Sequence, residues 1–160
     1  MIFVTLGTQD KKFPRLLEAV DKLNTDEKIV AQVGTTEFNF TKPKEQIEVY
    51  KFLTDSQFQS FMEEARVVIT HSGVGTIIQG LKLHKKMIVA ARLKKYKEHV
   101  NDHQLQILDK FAKEGYILPL ENFDDFQKLI DTDFKPKEWV SNNESFNEKL
   151  FNKIYNENKK

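Results

Sequence analysis

Three features of this 160-residue sequence predict an α/β fold in which a parallel sheet is covered by helices on both faces. Short β-branched runs alternate with helical patterns along the chain. The runs are almost continuously apolar, as strands buried on both faces must be. The 4 prolines and 6 glycines are scattered at element ends, and no repeat or low-complexity tract interrupts the alternation.

The elements follow in order. Residues 2–6 form a first strand, and 13–23 a helix whose Leu16, Leu17, Val20 and Leu23 share one face, with Pro14 suited to its first turn. Strands over 28–33 and 47–52 come next, then a helix over 55–65. The strand over 67–70 runs into a helix over 75–83. The strand over 87–91 is followed by a basic stretch and a helix over 100–113, and a last strand over 116–119 precedes a helix over 124–130. Residues 1–134 thus make one Rossmann-like domain, large enough to bury a sizeable core. Beyond it, Lys135-Pro136-Lys137 breaks the pattern and 135–160 forms a C-terminal amphipathic extension. A helix over 144–156 aligns Phe146, Leu150, Phe151, Ile154 and Tyr155 in one stripe, which either packs on the chain's own sheet or docks on a second protein.

Composition excludes several function classes. Lys and Arg number 25 against 24 Asp and Glu, a formal charge of +1, whereas a protein tracking nucleic-acid phosphates carries a basic excess. No cysteine is present, so disulfides, thiolate metal sites and a cysteine nucleophile are ruled out. No apolar run approaches the ~18 residues of a membrane span, and the first strand lacks the basic flank of a signal peptide. The expectation is a protein that begins at Met1 and works in the cytoplasm.

Ligands of doubly wound sheets bind outside the carboxyl ends of the strands, so the residues after each strand carry the chemistry. After the first strand comes Gly7-Thr8-Gln9, a turn that lets a ligand approach the backbone before a helix opens. After the fourth comes Thr70-His71-Ser72-Gly73-Val74-Gly75-Thr76, where backbone N–H groups at a helix start and two hydroxyls would cradle a phosphate. Ile78 stands where a dinucleotide fingerprint needs its third glycine, and no Gly-Lys-Ser/Thr makes a P-loop. The alternative is a plain glycine-rich strand-to-helix turn. After the fifth strand, Arg92, Lys94, Lys95 and Lys97 concentrate positive charge on a loop, either solvated or selected by an anionic substrate or membrane surface. His99 and His103, four apart on the following helix, superficially suggest zinc. They lack a metalloprotease glutamate and a third ligand, so no metal site is expected and Asp102, His103 and Gln104 read as polar ligand contacts.

Taken together, Phe3 to Gln9, Ala31 to Gly34, Thr70 to Thr76 and Arg92 to Gln104 fall in an order and spacing that resembles the glycosyltransferase family 28 C-terminal domains, over roughly residues 1–120. The chain looks most like the small catalytic half of split enzymes. These are the soluble subunit of the dolichol-pathway UDP-GlcNAc transferase and the bacterial capsule and exopolysaccharide β-1,4-galactosyltransferase subunits, both related to the C-terminal half of MurG. The resemblance implies one donor-binding half of a GT-B fold. It implies that Gly7, Thr8 and Gln9 contact the donor diphosphate, that Ser72, Gly73, Val74, Gly75, Thr76 and Gln79 face the nucleotide, and that Asp102, His103 and Gln104 reach the donor sugar.

It further implies an inverting, metal-independent and cofactor-free transfer of galactose or N-acetylglucosamine from a UDP-sugar to a polyprenyl-diphosphate-linked sugar. A membrane-anchored subunit would supply the acceptor domain and recruit the chain to the inner face of the membrane, with Arg92, Lys94, Lys95 and Lys97 at the acceptor edge. His71 and His99 are the local catalytic candidates, as base or as donor-side groups orienting the diphosphate and guarding the mouth. Three residues depart from the family pattern. Gln79 replaces a ribose-binding glutamate, His84 a helix-ending glycine, and Lys86 a frequent proline. Gln79 keeps a second reading open, a UDP-sugar-binding regulatory subunit without transfer. A flavodoxin-like or receiver-like signalling domain is disfavoured, because no acidic pair follows the first strand.

Overall fold

The computed structural model describes residues 1–7 and 10–140. Six strands, β1 (Ile2–Thr5), β2 (Ile29–Gln32), β3 (Ile47–Tyr50), β4 (Val67–His71), β5 (Lys86–Ala90) and β6 (Leu118–Pro119), form one wholly parallel sheet in the order β3-β2-β1-β4-β5-β6. Each strand meets its neighbour in register, Thr5 of β1 opposite Gln32 of β2 and Thr70 of β4. Sequence order reverses between β1 and β4, which creates the crevice where such sheets bind ligands.

Pleat alternation sorts the apolar side chains onto two faces. Ile2, Val4, Ile29, Ala31, Val67, Ile69, Ile88 and Ala90 pack beneath helices α1 (Pro14–Asp21) and α5 (Phe126–Asp131). Phe3, Val30, Val68, Met87 and Val89 pack against α2 (Asp55–Glu64), α3 (Val74–Lys82) and α4 (His103–Lys113) on the other. Helix starts are specified locally: Pro14 opens α1, and Thr54 with Gln57 closes a reciprocal capping box on α2.

Three details bear on the sequence expectations. His84 takes the left-handed conformation, φ +56°, that ends α3, with Lys85 N–H donating to the Gly80 carbonyl at 3.0 Å and His84 N–H to that of Leu81. A histidine thus stands where glycine is favoured, at a local conformational cost. Lys86 is buried in β5 and its ammonium donates to the carbonyls of Ile130 and Thr132, tying the end of α5 to the sheet. The described start of the extension after Phe134 packs on the domain: Lys137 N–H donates to the Gly115 carbonyl at 3.0 Å, and Trp139 packs on Tyr116 and Phe111 at 5.2 and 6.1 Å between ring centroids. The expected helix over 144–156 lies outside the described residues. No helix among the described residues is long and apolar enough to cross a membrane.

Candidate functional site

At the carboxyl ends of β1 and β4 a cleft of about 440 Å³ opens, lined by Gly7, Gln32, Leu53, Asp55, Phe58, His71, Gly73, Val74, Gly75, Thr76 and Gln79. Its upper wall is the start of α3. Gly73 is the N-cap and no side chain caps the helix, so the first-turn N–H groups keep their hydrogen-bonding capacity at the positive end of the helix dipole. Its floor is Gly7, at φ +79°, against the ring of His71. A Cβ on Gly7 would lie 2.3 Å from His71 Nε2, and one on Gly73 2.8 Å from the same atom. Only glycine therefore fits on either side of this imidazole edge.

Behind the ring sits Arg92, fully buried at the end of β5. Its guanidinium donates to His71 Nδ1 at 2.9 Å, to the Leu6 carbonyl at 2.9 Å and to the Lys11 carbonyl at 3.0 Å, and its flat face lies over the Phe13 ring at 5.2 Å. Gln104, also buried, accepts the Arg92 backbone N–H on Oε1 at 3.0 Å and turns Nε2 toward His71 Nδ1 at 3.4 Å. Burial, then the Arg92 charge, pulls the His71 pKa down to about 3, and burial lowers that of Arg92 to about 10. His71 is neutral at working pH with its Nδ1 occupied, so the role of general base does not fit it; a hydrogen-bond donor through Nε2 does.

The basic stretch divides in two. Arg92 does not belong to an acceptor or membrane edge, as the run of charges suggested; it is interior, because its planar fork satisfies three acceptors at once. Lys94, Lys95 and Lys97 are exposed on a 3-10 turn (Lys94–Tyr96) that ends with Lys97 at φ +59°. Arg15 of α1 anchors this turn, bonded to the buried Glu98 carboxylate at 2.9 and 3.0 Å and stacked on Tyr96 and Phe123. Beside it a second hollow of about 710 Å³ is lined by Asp10, Lys11, Lys12, Lys94, Lys97, Glu98, His99 and Val100. His99 precedes α4 rather than riding on it, so it shares no helix face with His103. Burial, then Lys11 and Arg92, lower its pKa.

The structure brings His71, Gly73, Val74, Gly75, Thr76 and Gln79 together with Gly7 in the first cleft. Ser72 stands apart, 1% exposed with its hydroxyl unpartnered. Gln79 donates to Gln59 Oε1 at 2.9 Å. Asp102 is committed in part to the Lys94 N–H at 2.9 Å, His103 opens α4, and Gln104 faces inward to Arg92 and His71 instead of outward to a sugar. Thr8 and Gln9 lie outside the described residues. Sequence reasoning missed Asp55, Phe58, Gln32, Lys11 and Lys12. Asp55 carried a usable signal, since it is the first acid beyond the third strand; the other four become visible only once β2, α1 and α2 are placed. Among the described residues no three His, Cys, Asp or Glu side chains gather as a metal site.

Comparison with known proteins adds the following. The family model described as "Glycosyltransferase family 28 C-terminal domain" matches residues 1–157. The chain is 31% identical over 85 residues to the UDP-N-acetylglucosamine transferase subunit ALG13 of Saccharomyces cerevisiae, covering 52% of this chain and 40% of the relative. It is 36% identical over 89 residues to the ALG13 of Candida glabrata, covering 52% and 42%. The matched stretches thus span less than half the length of these relatives. Among solved structures, the solution structure of ALG13 superposes with a TM-score of 0.59 at 22% identity, covering 96% of each chain. MurG of Acinetobacter baumannii superposes with 0.57 at 17% identity, covering 79% of this chain and 39% of that one. These superpositions concern the fold, a GT-B-type half.

Proposed function

The chain belongs to the glycosyltransferase family 28 C-terminal domain family, and on that premise we propose that it is the donor-binding subunit of a two-component, inverting hexosyltransferase. It would take galactose or N-acetylglucosamine from a UDP-sugar and pass it to a polyprenyl-diphosphate-linked sugar, in lipid-linked oligosaccharide, capsule or exopolysaccharide synthesis. The observation that carries the reading is the cleft at the β1/β4 switch point. There the N–H groups of Val74, Gly75 and Thr76 and the His71 edge converge on a space cleared by two glycines. A diphosphate suits that array of fixed donors, which bind the leaving group more tightly as its charge develops.

In this reading Gln79 and Asp55 meet the ribose hydroxyls, Asp55 supplying a carboxylate that Gln79 lacks. The acceptor hydroxyl attacks the anomeric carbon in one step, the C–O bond to UDP breaks, and the linkage inverts. The proton of that hydroxyl passes to a base on the partner subunit, since His71 is held as a donor. The site asks for no metal or cofactor from this chain, and the membrane anchor and acceptor wall belong to the partner. Lys94, Lys95 and Lys97 would face the acceptor's diphosphate or the lipid surface at the inner side of the membrane.

Product analysis of the chain co-expressed with its partner, supplied with UDP-galactose and UDP-N-acetylglucosamine in turn, tests this. Glycosidic product from one donor, only when both chains are present, supports it. Gln79 bound to Gln59 favours a second reading, a UDP-sugar sensor. UDP binding without product from either donor in the assembled pair would select the sensor.

A further inference from the structure

Arg92 carries a full charge in the interior, and among the described residues no carboxylate pairs with it. Such a charge is costly unless hydrogen bonds compensate it. Its two terminal nitrogens donate to two carbonyls and one ring nitrogen, while its buried Nε finds no partner, and a guanidinium can only donate. His71 Nδ1 must therefore accept, and the ring proton must sit on Nε2. Gln104 enforces the same choice: its Oε1 is taken by the Arg92 N–H, so the group it shows to Nδ1 is its Nε2 amide. On the far side, His71 Nε2 meets no acceptor among the described residues; it meets the bare backbones of Gly7 and Gly73 and the cleft.

We propose that Arg92 is a positioning residue that fixes His71 as the Nε2–H tautomer and, through the ring, lends its buried positive charge to a diphosphate bound over Gly7 and Gly73. The diphosphate half of this inference rests on the donor-binding function proposed above; the tautomer half does not. The groups that face the ring are Arg92 behind β5, Gln104 from α4 and His99 from the preceding loop, while Glu98 faces Arg92. Burial, Arg92 and His99 oppose a second ring proton. The ring then meets phosphate oxygen as a neutral donor polarised by the guanidinium, and this arrangement persists across the whole neutral pH range. A lysine at position 92 would keep the charge but lose the fork that reaches His71, Leu6 and Lys11 together.

The test is nitrogen-detected NMR of the imidazole in the full-length chain, combined with calorimetric titration of UDP and of inorganic pyrophosphate. Wild-type His71 should show the Nε2–H pattern from pH 8 down to about pH 5, and its Nε2–H resonance should shift when UDP is added. Arg92→Gln should populate both tautomers, bring the ring's titration back toward pH 6.5, and weaken UDP and pyrophosphate by at least tenfold. Arg92→Lys should restore part of the affinity without restoring the single tautomer, and it stands in if the glutamine variant does not fold. A wild-type ring found as the Nδ1–H tautomer, or titrating near pH 6.5, overturns the positioning role even if UDP binds. An unshifted tautomer and unchanged affinity in both variants also overturn it. Wild-type protein that shows the Nε2–H tautomer but binds neither UDP nor pyrophosphate overturns the donor-site function and the diphosphate relay with it.

Discussion

Arg92 and Lys94 are two residues apart and carry the same charge, yet they occupy opposite physical worlds. Arg92 is fully buried, with its head group fixed by three acceptors and an aromatic face. Lys94, Lys95 and Lys97 project into solvent from a turn held by Arg15, Glu98 and Asp102. The first region is an interior donor network aimed at one cleft, and the second a rim of solvent-exposed point charges around another. The difference teaches that a run of like charges has no single meaning. What decides is distance from the strand end, since Ala91 and Arg92, directly after β5, are still buried and Lys94, Lys95 and Lys97 are not.

The comparison predicts that changes at the floor are severe and specific, and that changes at the rim are mild and salt-dependent. The largest effect is expected for Gly7→Ala, which combines a Cβ in a left-handed backbone with a 2.3 Å approach to His71 Nε2. Strain alone costs about 1–3 kcal/mol, to be read from urea unfolding, and UDP binding should be lost because the ring is displaced. Normal UDP affinity in this variant would break the assignment of the floor. His71→Ala should follow, with UDP affinity or donor use in the assembled complex reduced on the order of a hundredfold. Unchanged activity would show that the ring points at nothing the reaction needs.

Acidification is the next lever, and its sign follows from the lowered pKa. Between about pH 6.5, where an unfolded histidine titrates, and about pH 3, where His71 does, the unfolded chain binds the extra proton. The stability this neutral ring contributes is therefore intact at pH 7 and falls progressively below pH 6.5. By pH 5 the loss should reach about 1–2 kcal/mol relative to His71→Gln, measured as the difference between their urea midpoints. Parallel pH profiles for the two proteins would contradict the burial of His71. The smallest effect belongs to the rim: Lys94→Gln with Lys97→Gln should leave stability within about 0.5 kcal/mol and UDP affinity unaltered. It should flatten the salt dependence of binding to anionic vesicles by the assembled complex.

Much of the fold is legible in the sequence because the determinants are local. Short, nearly continuous apolar runs set the strands, and Pro14 marked the first helix start. The left-handed His84 came instead from the resemblance, which places a helix-ending glycine at that position. The two glycines flanking the site were readable from their places directly after the first and fourth strands. The role of Arg92 was not, because its guanidinium partners, Leu6 after β1, Lys11 before α1 and His71 of β4, lie between 21 and 86 residues away. Gln104 misled for a related reason: a polar residue near a strand end looks like a ligand contact until the neighbour that consumes it is placed. His99 misled because the helix begins three residues later than its hydrophobic pattern suggests, with Asn101 accepting the His103 N–H instead.

The chain contains one tryptophan, Trp139, and it is 9% exposed, wedged against Tyr116 and Phe111 near the last of the described residues. Its emission is therefore a built-in optical gauge. A blue-shifted spectrum reports that Trp139 is seated against Phe111 of α4 and Tyr116. Any shift when a second protein is titrated in would reveal, without a label, that docking is felt at this end of the molecule.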